Sequence, residues 1–114
     1  MSARANVEDI RDFLTEAKDL MSAGEYDFVE RRKNMQALAA NGLSLIDAKS
    51  QILSLEVGDY YKGPKQDFDL SRPGDIWEFK KNIDGVRFYV KLKITKVNGR
   101  DTLKCIGFHE DDFV

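Results

Sequence analysis

One stretch of the sequence, residues 87–94, alternates regularly between apolar and polar side chains. If it forms a β-strand, one face of that strand is apolar and the other is polar. Successive side chains of a strand point to opposite sides of the sheet. The apolar set is Phe88, Val90, Leu92 and Ile94. The polar set is Arg87, Tyr89, Lys91 and Lys93. The pattern therefore predicts a strand with one core face and one basic, aromatic-bearing face.

The stretches on either side of this strand can extend both faces as neighbouring strands. Within residues 76–79, Glu78 alternates with the aromatic residues beside it, which predicts that it lies on the polar face. Near the end of the chain, His109 is out of phase with Ile106 and Phe108, so we predict that it lies there as well. The polar face would then carry a carboxylate, an imidazole and several basic side chains.

Two dipeptides separate the three stretches, Asp84-Gly85 and Asn98-Gly99. Both are strong signals for two-residue hairpin turns, because such turns need positive φ angles, which Gly, Asn and Asp adopt readily. The sequence therefore predicts a meander of three antiparallel strands over residues 75–109.

The N-terminal half predicts three short helices. Apolar residues recur at spacings of three and four over residues 7–23, and Asn6 is a candidate cap for this helix. A second helix is predicted over residues 31–41. A third is predicted to begin after Ser44, because Asp47 follows at the spacing of a capping box.

These elements predict a single domain of the α+β class, with N-terminal helices packed on one face of a small antiparallel sheet. At 114 residues the chain is long enough for one core and too short for a second. The predicted divisions are helical 1–55, loop 56–74, antiparallel sheet 75–109 and acidic tail 110–114, with a candidate edge strand over 26–29.

The composition limits the classes of protein that this chain can represent. No apolar run approaches the roughly 20 residues that cross a bilayer, and residues 1–9 lack the features of a signal peptide. We therefore expect a cytoplasmic protein without membrane contact. The single cysteine, Cys105, can form no disulfide within the chain. One cysteine and one histidine are also too few for the usual structural zinc site, and we expect no metal and no cofactor.

The net charge of −2 divides unevenly along the chain. Residues 1–60 carry 7 Lys and Arg against 11 Asp and Glu, whereas residues 61–114 carry 11 against 9. Two interpretations fit this difference. A solvated sheet face balanced by acidic helices is one of them. The other, which we favour, is a local anion-binding surface on the sheet, with RNA as the expected partner.

RNA cleavage without a metal needs a base for the 2′-hydroxyl, positive groups for the charged phosphorus and an acid for the departing 5′-oxygen. Glu78 is a candidate base. His109 is the candidate acid, since histidine gains and loses protons near neutral pH. Tyr89 is a candidate hydrogen-bond donor or stacking platform. The candidates for charge stabilisation are Lys62, Arg87, Lys91 and Lys93. Strand alternation and β propensity would explain most of these residues without any function.

The predicted loop over residues 56–74 adds further candidates. It holds Tyr61, Lys62 and Lys65 around Gly63-Pro64, which forces a turn. A connection of this length in a compact domain is usually either functional or wrongly predicted as a loop. We therefore include Tyr61 and Lys65 among the RNA-binding candidates, and an exposed loop with ordinary lysines is the alternative.

Five short motifs follow one another along the chain in a particular order. They are Arg31-x-x-Asn34, Asp59-Tyr60-Tyr61-Lys62, Ile76-Trp77-Glu78-Phe79, Tyr89-Val90-Lys91-Leu92 and Phe108-His109. Their order and spacing resemble the MqsR family of toxins from bacterial toxin–antitoxin systems. The resemblance implies a RelE-like fold and a metal-independent endoribonuclease, an mRNA interferase, that cleaves mRNA and arrests growth. It also implies a cognate antitoxin protein that holds the toxin inactive.

Carried over by position, the catalytic lysine of the family corresponds to Lys62, the polar residue after its tryptophan to Glu78, its strand tyrosine to Tyr89 and its terminal basic residue to His109. Better-known members have a glutamine in place of Glu78 and a lysine in place of His109. The division of acid and base roles among Lys62, Glu78 and His109 therefore stays open. The alternative function is a catalytically inactive, toxin-like interaction module that binds an antitoxin or another regulator.

Overall fold

Three helices and five strands make up the part of the chain that the computed structural model describes, residues 4–67 and 73–111. The helices are α1 (Val7–Ser22), α2 (Arg32–Ala40) and α3 (Leu45–Leu53). The strands are β1 (Tyr26–Phe28), β2 (Tyr60–Gln66), β3 (Asp75–Ile83), β4 (Val86–Val97) and β5 (Arg100–Glu110). A 3₁₀ turn, Val57–Asp59, leads into β2. None of the helices in these two ranges is long and apolar enough to cross a membrane.

The five strands form one mixed sheet in the order β1-β5-β4-β3-β2. The predicted α+β class is confirmed, but the prediction of a purely antiparallel sheet is wrong, because β1 pairs with β5 in parallel. Hairpin signals report only strands that are neighbours along the chain. A parallel pair needs a long crossover connection, and two helices and three strands separate β1 from β5. The RelE-like arrangement stays a prediction.

Part of the segment predicted as a loop is a strand. Residues 60–66 form β2, which pairs antiparallel with β3, and Lys62 lies opposite Glu78. The register of β2 shifts on both sides of Lys62. These shifts break the alternation that reveals a strand in a sequence. Residues 68–72 of the predicted loop, and residues 112–114 of the predicted acidic tail, lie outside the described residues.

The local signals of the other elements are confirmed. Both predicted hairpin turns have positive φ angles at their two central residues, 51° and 83° at Asp84-Gly85, and 53° and 79° at Asn98-Gly99. The side chain of Asn6 accepts a hydrogen bond from the backbone N–H of Asp9 at 2.8 Å, so it caps α1. The predicted capping box at the start of α3 is also present.

The apolar set of β4 lies in the core, as the alternation predicts, where Phe88, Val90 and Leu92 are buried. Phe13 of α1 packs on this side of the sheet, and its ring stacks on Trp77 with the ring centroids 4.6 Å apart. The opposite side, which we call the open face, carries polar side chains from four strands. They include Lys62, Glu78, Lys80, Arg87, Tyr89, Lys91, Lys93, Lys104 and His109.

A β-bulge in β5 decides which side chains reach the open face. Leu92 pairs with Cys105, but its neighbour Lys91 pairs with Gly107, so β5 holds one extra residue between these pairs. Without the bulge, the hairpin register would place Phe108 opposite Tyr89. The extra residue reverses the alternation, so Phe108 is buried and His109 lies opposite Tyr89.

Asn34 of α2 holds this bulge in place. The residue is fully buried, and its side-chain oxygen accepts a hydrogen bond from the backbone N–H of Phe108 at 3.0 Å. Its amide nitrogen donates to the carbonyl oxygens of Val29, at 2.9 Å, and Ile106, at 3.3 Å. Strand β1 pairs with β5 only as far as Cys105. The side chain of Asn34 therefore supplies hydrogen bonds to the backbone of β5 beyond the point where β1 ends.

We expect Asn34→Ala to lower the free energy of unfolding by about 3 kcal/mol, because it leaves several buried backbone groups without partners. Chemical denaturation would measure this loss. Gln36→Ala is the matched control on the exposed side of α2, and it should change stability by less than about 0.5 kcal/mol. Equal effects of the two substitutions would contradict the role given to Asn34.

Candidate functional site

A cleft of about 260 Å³ on the open face collects side chains from β2, β3, β4 and β5 and from the start of α2. We call it the basic cleft. Its lining residues are Lys33, Tyr61, Lys62, Lys80, Tyr89, Lys91, His109 and Asp111. Five of the residues selected from the sequence meet here, namely Tyr61, Lys62, Tyr89, Lys91 and His109. The lining contains four lysines and one histidine against one carboxylate, so its charge favours an anion.

Cross-strand pairing sets the order of the side chains across this cleft. Tyr89 of β4 lies opposite Lys80 of β3 on one side and His109 of β5 on the other. The rings of Tyr89 and His109 are stacked, with centroids 5.5 Å apart and planes inclined by 29°. Tyr61 meets the Tyr89 ring edge-on at 6.4 Å. The two tyrosines and the histidine thus form a continuous aromatic surface beside the lysines.

The lysines of the basic cleft lie against these rings. The ammonium of Lys80 is 4.0 Å from the centroid of the Tyr61 ring, and the ammonium of Lys62 is 5.3 Å from the same centroid. The ammonium of Lys91 is 5.6 Å from the centroid of the Tyr89 ring. Cation–π contacts of this kind contribute roughly 0.5–2 kcal/mol. They restrict the long lysine side chains and keep their charges near the cleft.

One ring nitrogen of His109 is engaged in a hydrogen bond. Its Nδ1 lies 2.9 Å from the carbonyl oxygen of Glu110. A carbonyl oxygen can only accept a hydrogen bond, so Nδ1 must carry the hydrogen. Nε2 is then the nitrogen that can exchange a proton with a ligand. A methyl group built on Gly107 would lie 3.9 Å from this Nε2 and 3.0 Å from Cβ of Lys91, so the glycine keeps the space between Lys91 and His109 open.

The surroundings of Lys91, which lines the basic cleft, alter its proton affinity. Burial lowers the pKa of Lys91, because its charged form loses water contacts. The carboxylate of Glu78 partly raises this pKa, whereas the positive charges of Lys65, Arg31 and Lys62 lower it further. The amine of Lys91 therefore loses its proton at a lower pH than an ordinary lysine does.

Glu78 lies on the open face, as the alternation predicts, but it is fully buried rather than solvent-facing. Its Oε2 forms ion pairs with the ammonium of Lys65 at 3.1 Å and that of Lys62 at 3.9 Å. The ammonium of Lys62 is too far away for a hydrogen bond, and neither carboxylate oxygen has a hydrogen-bond donor among the described residues. The register of β2 against β3 explains the burial, because it places Lys62 and Lys65 over this carboxylate.

The remaining predicted RNA contacts lie outside the basic cleft. Arg87 is exposed, and its Nε is 3.9 Å from the Asp111 carboxylate. Lys93 lies on the open face but is buried, with its ammonium 2.9 Å from the carboxylate of Asp67. Lys65 is engaged with Glu78. Lys93 is therefore not part of an exposed basic surface, contrary to what the alternation predicts.

Three lining residues were not selected from the sequence. Lys80 follows Glu78 by two positions in β3, so strand alternation contains the signal for it. Asp111 has the same relation to His109; its carboxylate lies 2.9 Å from the ammonium of Lys80, and its backbone N–H donates to the carbonyl of Arg87 at 2.8 Å. Lys33 comes from α2, and no pattern in the sequence brings it to the sheet.

No known protein-family model and no curated protein matches this chain. The resemblance to the MqsR family therefore depends only on the motifs quoted above. Within residues 4–67 and 73–111, no group of three or more His, Cys, Asp or Glu side chains is arranged to hold a metal ion.

Proposed function

We propose that the protein is a metal-independent endoribonuclease that cleaves mRNA through attack of the ribose 2′-hydroxyl. One observation carries this proposal: Lys62, Tyr89, Lys91 and His109 line a single cleft. Positive charge, a histidine with one available ring nitrogen and a lysine with a lowered pKa lie together there. These are the groups that general acid–base cleavage of a phosphodiester requires.

Lys91 supplies the base and His109 the acid. A lysine accepts a proton only when it is neutral, and burial of Lys91 favours that form. Lys91 pairs with Gly107 and Tyr89 pairs with His109, so Lys91 and His109 are diagonal neighbours on the open face. Such neighbours are roughly 7–8 Å apart at their backbones. This spacing lets the two side chains approach one phosphate from opposite sides.

The reaction balances as an internal transesterification. Lys91 takes the proton of the 2′-hydroxyl, and the 2′-oxygen forms a bond to phosphorus. The bond from phosphorus to the 5′-oxygen breaks, and His109 gives that oxygen a proton. The products are a 2′,3′-cyclic phosphate and a 5′-hydroxyl. Lys62 and Lys80 stabilise the extra negative charge on phosphorus, because their ammonium groups are held beside Tyr61 at the cleft.

Glu78 acts as a positioning residue in this scheme. Its carboxylate is buried beneath Lys62 and Lys65, so it does not contact the ribose hydroxyl. Instead it holds these lysines and raises the pKa of Lys91 against the opposite effect of burial. A base that enters the basic cleft can contact the ring of Tyr61, which is exposed.

Incubation of the purified protein with mRNA and EDTA tests the proposal. We expect the wild type to cut, and Lys62→Ala and His109→Ala to lose most of the activity. Lys81→Ala is a matched control, because Lys81 follows Lys80 in β3 but its ammonium contacts the carbonyl oxygen of Gln51 in α3, on the opposite side of the sheet. If the wild type does not cut, the proposal fails and a non-catalytic interaction module remains. Neutralisation by a cognate antitoxin stays a prediction from the family resemblance.

A further inference from the structure

A second and larger cleft, of about 610 Å³, lies next to the basic cleft on the open face. We call it the adjoining cleft. Lys91 lines both clefts, so they meet at this residue. The lining residues that matter here are Arg31, Ile76, Lys96, Lys104 and Ile106. A ligand chain that leaves the basic cleft past Lys91 would enter the adjoining cleft directly.

The rim of the adjoining cleft carries positive charge that an anion can reach. Lys96 has its ammonium 3.1 Å from the carboxylate of Asp101, and Lys104 has its ammonium 3.7 Å from that of Asp27. The Lys96 side chain is 70% exposed, and that of Lys104 is 32% exposed. Exposed ion pairs of this kind contribute little to stability. Replacement of either carboxylate by a phosphate therefore costs little stability.

Two isoleucines, which we call the floor, form an apolar patch in the lining of the adjoining cleft. Ile76 of β3 is buried and lines it from one side, and the half-buried Ile106 lines it from the other. The bulge in β5 explains this position of Ile106. In a regular strand Ile106 and Phe108 would lie on the same face, but the bulge leaves Phe108 in the core and Ile106 on the open face. Apolar side chains contact the flat face of a base and form no base-specific hydrogen bonds. The floor thus fits unpaired bases of several kinds.

We propose that the adjoining cleft is a subsite for the nucleotides next to the scissile phosphate, so that the substrate is a single-stranded RNA several nucleotides long. This inference rests on the proposed function of the basic cleft. The phosphates of this RNA contact Lys96, Lys104 and Arg31, and its bases lie on Ile76 and Ile106. A duplex would not fit this arrangement, because its bases are paired and stacked and cannot reach the floor.

The double variant Lys96→Gln/Lys104→Gln tests the subsite against a diribonucleotide and a single-stranded hexaribonucleotide. We expect cleavage of the diribonucleotide to be unchanged, because both lysines lie outside the basic cleft. For the hexaribonucleotide, kcat/KM should fall roughly tenfold or more. The salt dependence of its binding should weaken by about 1.4 in the slope of log K against log salt, since each phosphate contact on a single strand contributes about 0.7.

Lys49→Gln/Lys81→Gln is the matched control, because it removes the same charge at residues that contact Tyr26 and Gln51 rather than either cleft. Equal losses on the short and the long substrate, or no loss on the long one, would overturn the subsite. Binding of a 2′-O-methyl hexanucleotide, which cannot be cut by 2′-hydroxyl attack, keeps the test separate from catalysis. If the wild type cuts neither substrate, the proposed function fails. The subsite itself then stands only if the double variant weakens binding of this oligonucleotide and the control does not.

Discussion

His109→Gln should reduce cleavage of an RNA oligonucleotide by about 10²- to 10⁴-fold, the usual loss when a general acid is removed. The glutamine keeps a polar side chain of similar length in β5 but cannot deliver a proton to the departing 5′-oxygen. Binding of the 2′-O-methyl oligonucleotide should change by less than about threefold, because positive charge in the basic cleft comes mainly from the lysines. The measurements are single-turnover cleavage rates and equilibrium binding.

A substrate with sulfur in place of the bridging 5′-oxygen separates proton donation from every other role of His109. A thiolate leaves without being protonated, so the acid is no longer needed. We expect His109→Gln to cut this substrate at nearly the wild-type rate, and Lys62→Ala to remain slow on it. A His109→Gln variant that stays equally slow on both substrates would show that the histidine is not the acid.

Lys91→Gln should lower the cleavage rate by about 10²- to 10⁴-fold on both substrates, because the base is needed whichever atom leaves. Cleavage of the 5′-sulfur substrate needs no acid, so only the base determines how its rate varies with pH. The wild-type rate should then rise with pH as Lys91 loses its proton, at a lower pH than an ordinary lysine because burial lowers its pKa. Lys91→Gln should lack this rise. An unchanged pH profile in that variant would assign the base elsewhere.

Two charges near Lys91 should shift, in opposite directions, the pH at which the cleavage rate rises. The carboxylate of Glu78 raises the pKa of Lys91, so Glu78→Gln should lower that pKa and move the rise to lower pH. The ammonium of Lys65 lowers the pKa of Lys91, so Lys65→Gln should move the rise to higher pH. A purely structural role for Glu78 would reduce the rate without moving the profile. Shifts of the same sign would exclude Lys91 as the titrating group.

The sequence predicts the parts of this protein that depend on local signals. Alternation assigns the faces of β4 correctly, and the two Gly-containing dipeptides locate both hairpins. The caps at Asn6 and Ser44 lie where their hydrogen-bonding side chains indicate. Each of these features depends on residues within a few positions of one another, so it can be predicted from a single sequence.

The features that the sequence does not reveal depend on distant contacts. The bulge in β5 that brings His109 to its predicted place on the open face is one of these features, because Asn34 holds it from another element. The burial of Glu78 depends on an irregular strand, β2, whose periodicity is broken. Lys93 is buried through its pairing with Asp67, which lies 26 positions away. Lys33 reaches the cleft only because α2 lies along the edge of β5.

The chemical nature of the product ends tests the proposed cleavage most directly. An RNA oligonucleotide would be incubated with the wild-type protein in EDTA, and its fragments would be identified by mass spectrometry. Attack by the 2′-hydroxyl predicts a 2′,3′-cyclic phosphate on one fragment and a 5′-hydroxyl on the other, with no cleavage of the 2′-O-methyl oligonucleotide. Fragments with a 3′-hydroxyl and a 5′-phosphate, or cleavage of the 2′-O-methyl oligonucleotide, would contradict it.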